Sequence, residues 1–259
     1  MIQFDCHAHV YETAMAISGA RYTPKTPAPL AHWLDHQTQH GLKGGVIVQV
    51  SFLGTDNTEL CAALDKLDRK RFAGVAIVAL DVSDTDLDRL VQAGIRGIRW
   101  NLVRGAEIPD LAGKTAQTLF EKLRKRSLHL EVHLEGRRLA TKLASLADQG
   151  VKLVVDHFGL PSEPNPEDDP MIQAVSGLGD LSNLYFKFSA HYRTSFDLRP
   201  HAQFLLSKLP NHHVVWGSDW PHTQHEDQIT YQKTFAALDD WRHVTDEESA
   251  RSLYGIQIT

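Results

Sequence analysis

The stretch LHLEVHLEGRRLATKLASLADQGVKLVVDHF, Leu128–Phe158, decides the fold. Its two ends, LHLEVHLE (Leu128–Glu135) and VKLVVDHF (Val151–Phe158), are short apolar runs of strand length, rich in Leu and Val. Between them RRLATKLASLADQG spaces Leu and Ala along one helical face and stops on Gly150, where a helix end favours glycine. Apolar runs separated by helices read as buried parallel strands. The same unit recurs from end to end.

The other runs are Ile2–His9, Gly44–Val50, Phe72–Ala79, Gly94–Asn101, Leu184–Ala190 and His213–Asp219. Amphipathic stretches such as DNTELCAALDKLDRK, DTDLDRLVQAG and KTAQTLFEKLRKRS lie between them, and Gly41 and Gly94 sit at further helix ends. Eight such units in 259 residues are the count and size of a (β/α)8, or TIM, barrel. A doubly wound open sheet is the alternative for the same pattern. No G-x-G-x-x-G follows any strand, however, so nucleotide binding lacks its usual support. With no linker or composition break, one domain over residues 1–259 is expected.

An apolar fraction of 42% and a charged fraction of 23% are ordinary for a soluble globular chain. The net charge of -5 argues against a general nucleic-acid binder. No apolar run approaches a membrane span, and the N-terminus lacks the basic and apolar regions of a signal peptide, so a cytoplasmic protein is expected. Cys6 and Cys61 form no disulfide framework; Cys6 should point out of the barrel as a packing residue. Two Pro-rich loops, residues 22–29 and 161–170, follow strand C-termini and read either as lids or as plain connectors.

A chain with 15 histidines should contain about one His-x-His by chance, so His7-Ala8-His9 means little alone. Strand alternation places His7, His9 and Asp5 on one face. In a barrel the C-terminal strand ends converge on one pocket. There the sequence puts His7 and His9 on strand 1, Arg99 and Asn101 on strand 4, His133 on strand 5 and His157 on strand 6. Tyr192 and Arg193 follow strand 7, Asp219 ends strand 8, and His222 and His225 lie on the loop beyond it. One histidine at a strand end is commonly a hydrogen-bonded structural residue. Four of them with an arginine and an aspartate read as an active site. His32, His36 and His40 share one helix face and are given no role. His201, His212, His213 and His243 read as surface residues in helices or turns, and Arg124, Lys125 and Arg126 as a solvated helix end.

DCHAH, RGIRWN, EVHLEG, VVDHFGLP, FKFSAHYR and VVWGSDWPH, in that order, resemble the amidohydrolase 2 branch of the amidohydrolase superfamily of TIM-barrel hydrolases. Within that branch the chain is most similar to the group of 2-pyrone-4,6-dicarboxylate, sugar-lactone and muconolactone hydrolases. The resemblance implies that Asp219 takes a proton from the attacking water. It implies that His7, His9 and His157 surround the carbonyl or the water, and that arginines hold substrate carboxylates. A base for water and donors for the developing oxyanion are what hydrolysis needs. Three positions depart from the pyrone-dicarboxylate pattern. Leu160 stands where an arginine is expected, Arg104 lies one residue short of a second strand 4 arginine, and His133 replaces a tyrosine.

The leading expectation is a hydrolase opening a carboxylated or sugar-acid lactone. Asp219, His7, His9 and His157 are its catalytic candidates, and Arg99, Asn101, Arg104, His133, Tyr192, Arg193 and His222 its substrate contacts. For Arg99 the alternative is pairing with an acidic residue inside the barrel. His7, His9, His133 and Asp219 also match the set with which zinc-dependent relatives hold one divalent ion, whereas the lactonases of the group work without metal; both stay open. A metal-dependent non-oxidative decarboxylase or amide hydrolase is the second function. A barrel that only binds a small carboxylate is the third. Assembly into a homo-oligomer is left open.

Overall fold

The structure, a computed structural model, describes residues 3–236 and 247–258. Eight strands form one sheet in sequence order: β1 (Phe4–Ala8), β2 (Gly44–Val48), β3 (Phe72–Ala76), β4 (Ile95–Asn101), β5 (His129–His133), β6 (Leu153–Val155), β7 (Leu184–Ser189) and β8 (Val214–Gly217). All seven neighbouring pairs are parallel. The ring closes where Ala8 bridges Trp220; His9 N–H donates to Trp220 O at 2.7 Å and Asp219 N–H to His7 O at 2.8 Å. This is the TIM barrel, not the open sheet.

The α-helices are α1 (Leu30–Gln39), α2 (Thr58–Leu64), α3 (Asp84–Gln92), α4 (Lys114–Lys125), α5 (Gly136–Ala140), α6 (Leu143–Ala147), α7 (Pro170–Ser176), α8 (Arg199–Lys208), α9 (Tyr231–Ala236) and α10 (Glu247–Tyr254), with short 3-10 turns at Ser51–Leu53, His157–Gly159, Pro166–Asp168 and His191–Arg193. None is long and apolar enough to cross a membrane. Gly41, Gly94 and Gly150 take φ of 69°, 100° and 66° at helix ends, as the pattern predicts. The stretch 137–150, read as one helix, is two. Thr141 Oγ1 donates to Arg138 O at 2.8 Å, giving the chain a local alternative to the helical ladder at the break.

Alternate strand residues build two cores. Ile47, Ile98, Leu130, Leu153, Phe186 and Trp216 pack outward with Trp33, Leu60, Leu87 and Phe120 of the helices. Phe4, Val46, Val48, Val75, Val154 and Val215 fill the interior with Leu253, Tyr254 and Ile256, so α10 plugs the end of the barrel opposite the candidate site.

Strand β1 departs from simple alternation. Asp5 pairs with Gly45 but Ala8 with Ile47, so one extra residue is accommodated between them. The shift turns Asp5 outward, where its carboxylate accepts from Trp33 Nε1 (2.9 Å), Ser218 N (2.8 Å), Ser218 Oγ (2.7 Å) and Tyr231 OH (3.0 Å). Cys6 packs inside the barrel with Val46 and Val48 rather than outside it. Burial pushes its thiol pKa up, which suits a packing residue and not a nucleophile.

Other surface assignments change as well. His201 is fully buried, its ring against Phe196, because α8 turns that face inward. His213 is half-buried and stacks on Tyr185, His212 is exposed, and His243 lies outside the described residues. His36 stacks on Tyr231 at an interplanar angle of 3°. Arg124 and Lys125 are exposed, whereas Arg126 pairs with Asp84 at 2.8 Å and Asp88 at 2.7 Å of α3.

Candidate active site

The ends of β6, β7 and β8 leave the sheet through residues with positive φ: His157 at 53°, Ala190 at 51° and Asp219 at 58°. Such backbone costs a non-glycine residue about 1–3 kcal/mol and persists where its surroundings hold it. Here it aims His157 and Asp219 into the mouth of the barrel. Gly217, two residues before Asp219, is required sterically, because a Cβ there would lie 2.2 Å from the Cβ of His7. The glycine lets β1 and β8 approach until their functional side chains meet.

Asp219 is the centre of the meeting. Its Oδ2 accepts from Tyr192 OH at 2.6 Å and from Arg193 Nε and NH2 at 3.1 and 2.8 Å. Its Oδ1 faces His9 Nε2 at 3.4 Å, His7 Nε2 at 3.6 Å and His157 Nε2 at 3.9 Å. Burial alone would push this carboxyl up, but Arg193, His157 and His9 outweigh burial and hold it well below the usual carboxylate range. His9 is oriented by Nδ1 donating to Val48 O at 2.7 Å, and His157 Nδ1 meets Ser189 Oγ at 2.8 Å. Burial outweighs the opposing pull of Asp219 and Asp156 and keeps His157 well below the ordinary histidine range. His222 reaches Tyr192 OH at 3.4 Å, and burial lowers it to about 4.

A layer of ion pairs lies beneath. Arg99 NH2 pairs with Asp156 Oδ2 at 2.8 Å, and Lys187 Nζ with Glu131 Oε2 at 2.5 Å. Arg99 therefore takes the alternative role of pairing with an acid inside the barrel, and Arg193 is engaged by Asp219. Neither is the free carboxylate clamp that the motifs imply, although both line the cleft.

Asn101, Arg104, His133 and Tyr22 stand in the wall of the cleft. Arg21, unassigned in the sequence, joins them; it donates to Asn101 Oδ1 at 2.8 Å and to Val103 O. Arg104 donates from its guanidinium to Gln224. Among the described residues no carboxylate forms an ion pair with either guanidinium, so the mouth holds two cations without a direct acidic partner, with Glu135 acting on Arg21 from further off. Loop 22–29 thus reaches the site through Tyr22. Loop 161–170 is pinned by Asp169, whose Oδ2 accepts from Ser162 N at 2.7 Å and Glu163 N at 3.1 Å.

Donor types and charge give opposite answers for a divalent ion. His7, His157 and Asp219 offer ligand atoms within 4.8 Å of one another, with His9 adjacent to Asp219. His133, expected in that set, instead groups with His157 and Asp156, and Arg99 NH2 meets its Nδ1 at 3.2 Å. The donor types suit zinc. The charge does not: Glu131, Asp156 and Asp219 are each already matched by a cation, and Lys187 Nζ sits 3.1 Å from His7 Nδ1. A dication would add charge to a box already balanced.

A TIM barrel with an ionised aspartate amid histidines at the C-terminal strand ends defines the class: a barrel enzyme equipped to activate water. Residues 4–255 match the amidohydrolase family model, and the chain belongs to the amidohydrolase family. The 2-pyrone-4,6-dicarboxylate hydrolase of Comamonas testosteroni is 27% identical over 252 residues, covering 87% of this chain and 78% of that protein. A 4-sulfomuconolactone hydrolase of Rhizobium radiobacter is 25% identical over 237 residues, covering 86% and 77%. A crystal structure of a probable 2-pyrone-4,6-dicarboxylic acid hydrolase from Acinetobacter baumannii with citric acid bound superposes with a TM-score of 0.89 at 30% identity, covering 99% of this chain and 100% of that one. The family read from the strand-end motifs is thereby borne out.

Proposed function

We propose that this chain hydrolyses a small carboxylated lactone by direct attack of water, with Asp219 as general base and without a resident metal. The arrangement of Asp219 carries the reading. Oδ2 is anchored by Arg193 and Tyr192, while Oδ1 stands free among three imidazoles. Water placed against Oδ1 gives up a proton to it as its oxygen bonds to the acyl carbon. The carbonyl oxygen gains charge, and Nε2 of His7 and of His157, which both face Oδ1 of Asp219, are the ring nitrogens nearest to where a donor is needed. Collapse breaks the bond between acyl carbon and ring oxygen, and the proton held by Asp219 goes to the leaving alkoxide. A hydroxy acid results.

Arg21 and Arg104 supply the recognition of substrate charge. A citrate-bound neighbour and relatives named for a dicarboxylate and a sulfonated lactone favour an anionic substrate. Leu160 offers no charge where a further arginine was expected, which favours fewer anionic groups than a pyrone dicarboxylate carries. The test is a panel of neutral, monocarboxylated and dicarboxylated lactones, assayed with protein purified without chelators and of measured metal content. Turnover of no lactone would sink the reading. Stoichiometric zinc, with activity lost on chelation, would replace it by the metal-dependent decarboxylase or amide hydrolase.

Arg21→Met and Arg104→Met should each raise KM for a carboxylated lactone about tenfold while leaving a neutral one nearly unchanged, since a guanidinium offers a paired, charge-assisted contact to a carboxylate. Equal losses on both substrates would remove them from anion recognition.

Arg193 sets the base. Because the folded pKa of Asp219 is depressed, its ionised form persists as pH falls below the usual carboxylate range, and the acid limb of kcat/KM should lie below pH 3.8 or be hidden by unfolding. Arg193→Met lets burial dominate and should move that limb upward into a measurable range. An unmoved limb in the pH–rate profile would separate Arg193 from the base.

A further inference from the structure

Lys187 is a fully buried lysine in the middle of β7, below the catalytic layer and outside the cleft lining. Its Nζ lies 2.5 Å from Glu131 Oε2, 3.1 Å from His7 Nδ1 and 3.9 Å from Asp156 Oδ1, and 5.7 Å over the Tyr254 ring. Glu131 neutralises its charge, but that alone does not explain why it also touches a catalytic histidine.

An ammonium has donors and no lone pair. At 3.1 Å from Lys187, His7 Nδ1 must therefore be the acceptor, so a neutral ring carries its proton on Nε2. The far side of the ring agrees. Nε2 faces the Asp219 carboxylate at 3.6 Å, where an N–H is attracted and a lone pair repelled. The competing tautomer would aim Nδ1–H at Asp156 Oδ1, which is 3.4 Å away and has no hydrogen-bond partner. It would also set N–H against ammonium and lone pair against carboxylate.

We propose that Lys187 is a positioning residue that fixes His7 as a neutral ring with its proton on Nε2, making His7 a hydrogen-bond donor into the site and denying that nitrogen to a metal. The proposal deepens the hydrolytic reading and rests on His7 serving that reaction. Nε2 has no partner within the protein, which leaves its N–H for the water or the oxyanion. Around the ring stand Lys187, Glu131, Asp156, Asp219, His9 and His157; on the inner side Lys187 Nζ at 3.1 Å lies nearer Nδ1 than Asp156 Oδ1 at 3.4 Å or Glu131 Oε1 at 3.7 Å.

The test begins with wild-type protein labelled with 15N-histidine, in which a two-bond 1H–15N spectrum tells the protonated nitrogen from the bare one; His7→Gln assigns the signal. The expected result at neutral pH is a bare Nδ1 and a protonated Nε2, unchanged on adding zinc. A bare Nε2, or a shift of that signal on zinc addition, would overturn the proposal. The companion is the charge-matched double variant Lys187→Met with Glu131→Gln, checked for folding by its melting curve. It should mix the tautomers of His7 and lower kcat about 10–100-fold with KM little changed, the loss typical of removing a ligand-orienting partner. An unmixed tautomer with unchanged kcat would show Lys187 to be structural only. The wild-type spectrum needs no substrate, so it stands or falls separately from the lactone panel.

Discussion

Asp219→Asn is expected to lower kcat by about 10²–10⁴-fold, the span that removing a positioned general base produces. Asparagine keeps the volume and can still face Tyr192, so binding and fold should survive. What it lacks is the basic oxygen at Oδ1, the one side of the carboxylate that Arg193 and Tyr192 leave open. KM should therefore move much less than kcat. Activity within tenfold of wild type, measured on the best lactone of the panel, would dismiss Asp219 as the base and transfer the role to His9 or His157.

Arg99→Met should act on stability first. Asp156 is fully buried and depends on Arg99, which donates from Nε at 3.0 Å and NH2 at 2.8 Å. Breaking a buried pair by removing one partner costs about 3–5 kcal/mol, because the remaining charge is stranded. For a chain of this size that is a fall in Tm of about 10 °C. Arg104→Met, at the mouth, should stay within about 0.5 kcal/mol of wild type. Pairing Arg99→Met with Asp156→Asn should recover part of the loss. A single variant that melts like wild type would mean that Asp156 is neutral in the folded state and that Arg99 does not sustain its charge.

The barrel was legible because each unit repeats the same apolar run, amphipathic stretch and helix-ending glycine. The site was legible because barrel geometry gathers strand ends, so His7, His9, His157, Asp219 and Arg193 needed no contact information to be placed together. Partner choice was not legible. That Arg99 takes Asp156 and Arg193 takes Asp219 depends on strand register, which one sequence does not specify. The bulge in β1 hid for the same reason: alternation fits Asp5-Cys6-His7 equally well without it. Arg21 sits in a loop whose path no periodicity reports. Lys187 and Glu131 did leave a signal. In FKFSA and LEVHLE they share parity with Ser189 and His133, which places them on the inner face. A charged residue there required a partner from the start.

The origin of the mouth residues bears on how this scaffold diversifies. Arg21, Arg104 and Gln224 come from segments between strands, whereas Asp219, His7, His9, His157 and the Arg99–Asp156 and Lys187–Glu131 pairs are fixed at or within the strand ends. In the proposed reaction, chemistry and substrate choice are thus carried by separate stretches of chain. Mutational libraries confined to residues 21, 103, 104 and 224 should keep a high fraction of folded, competent enzymes while exploring new acids. Libraries of equal size at residues 99, 131, 156 and 187 should be mostly unfolded. A gene duplicated from this one has a short route to a new lactone and a long route to a new reaction.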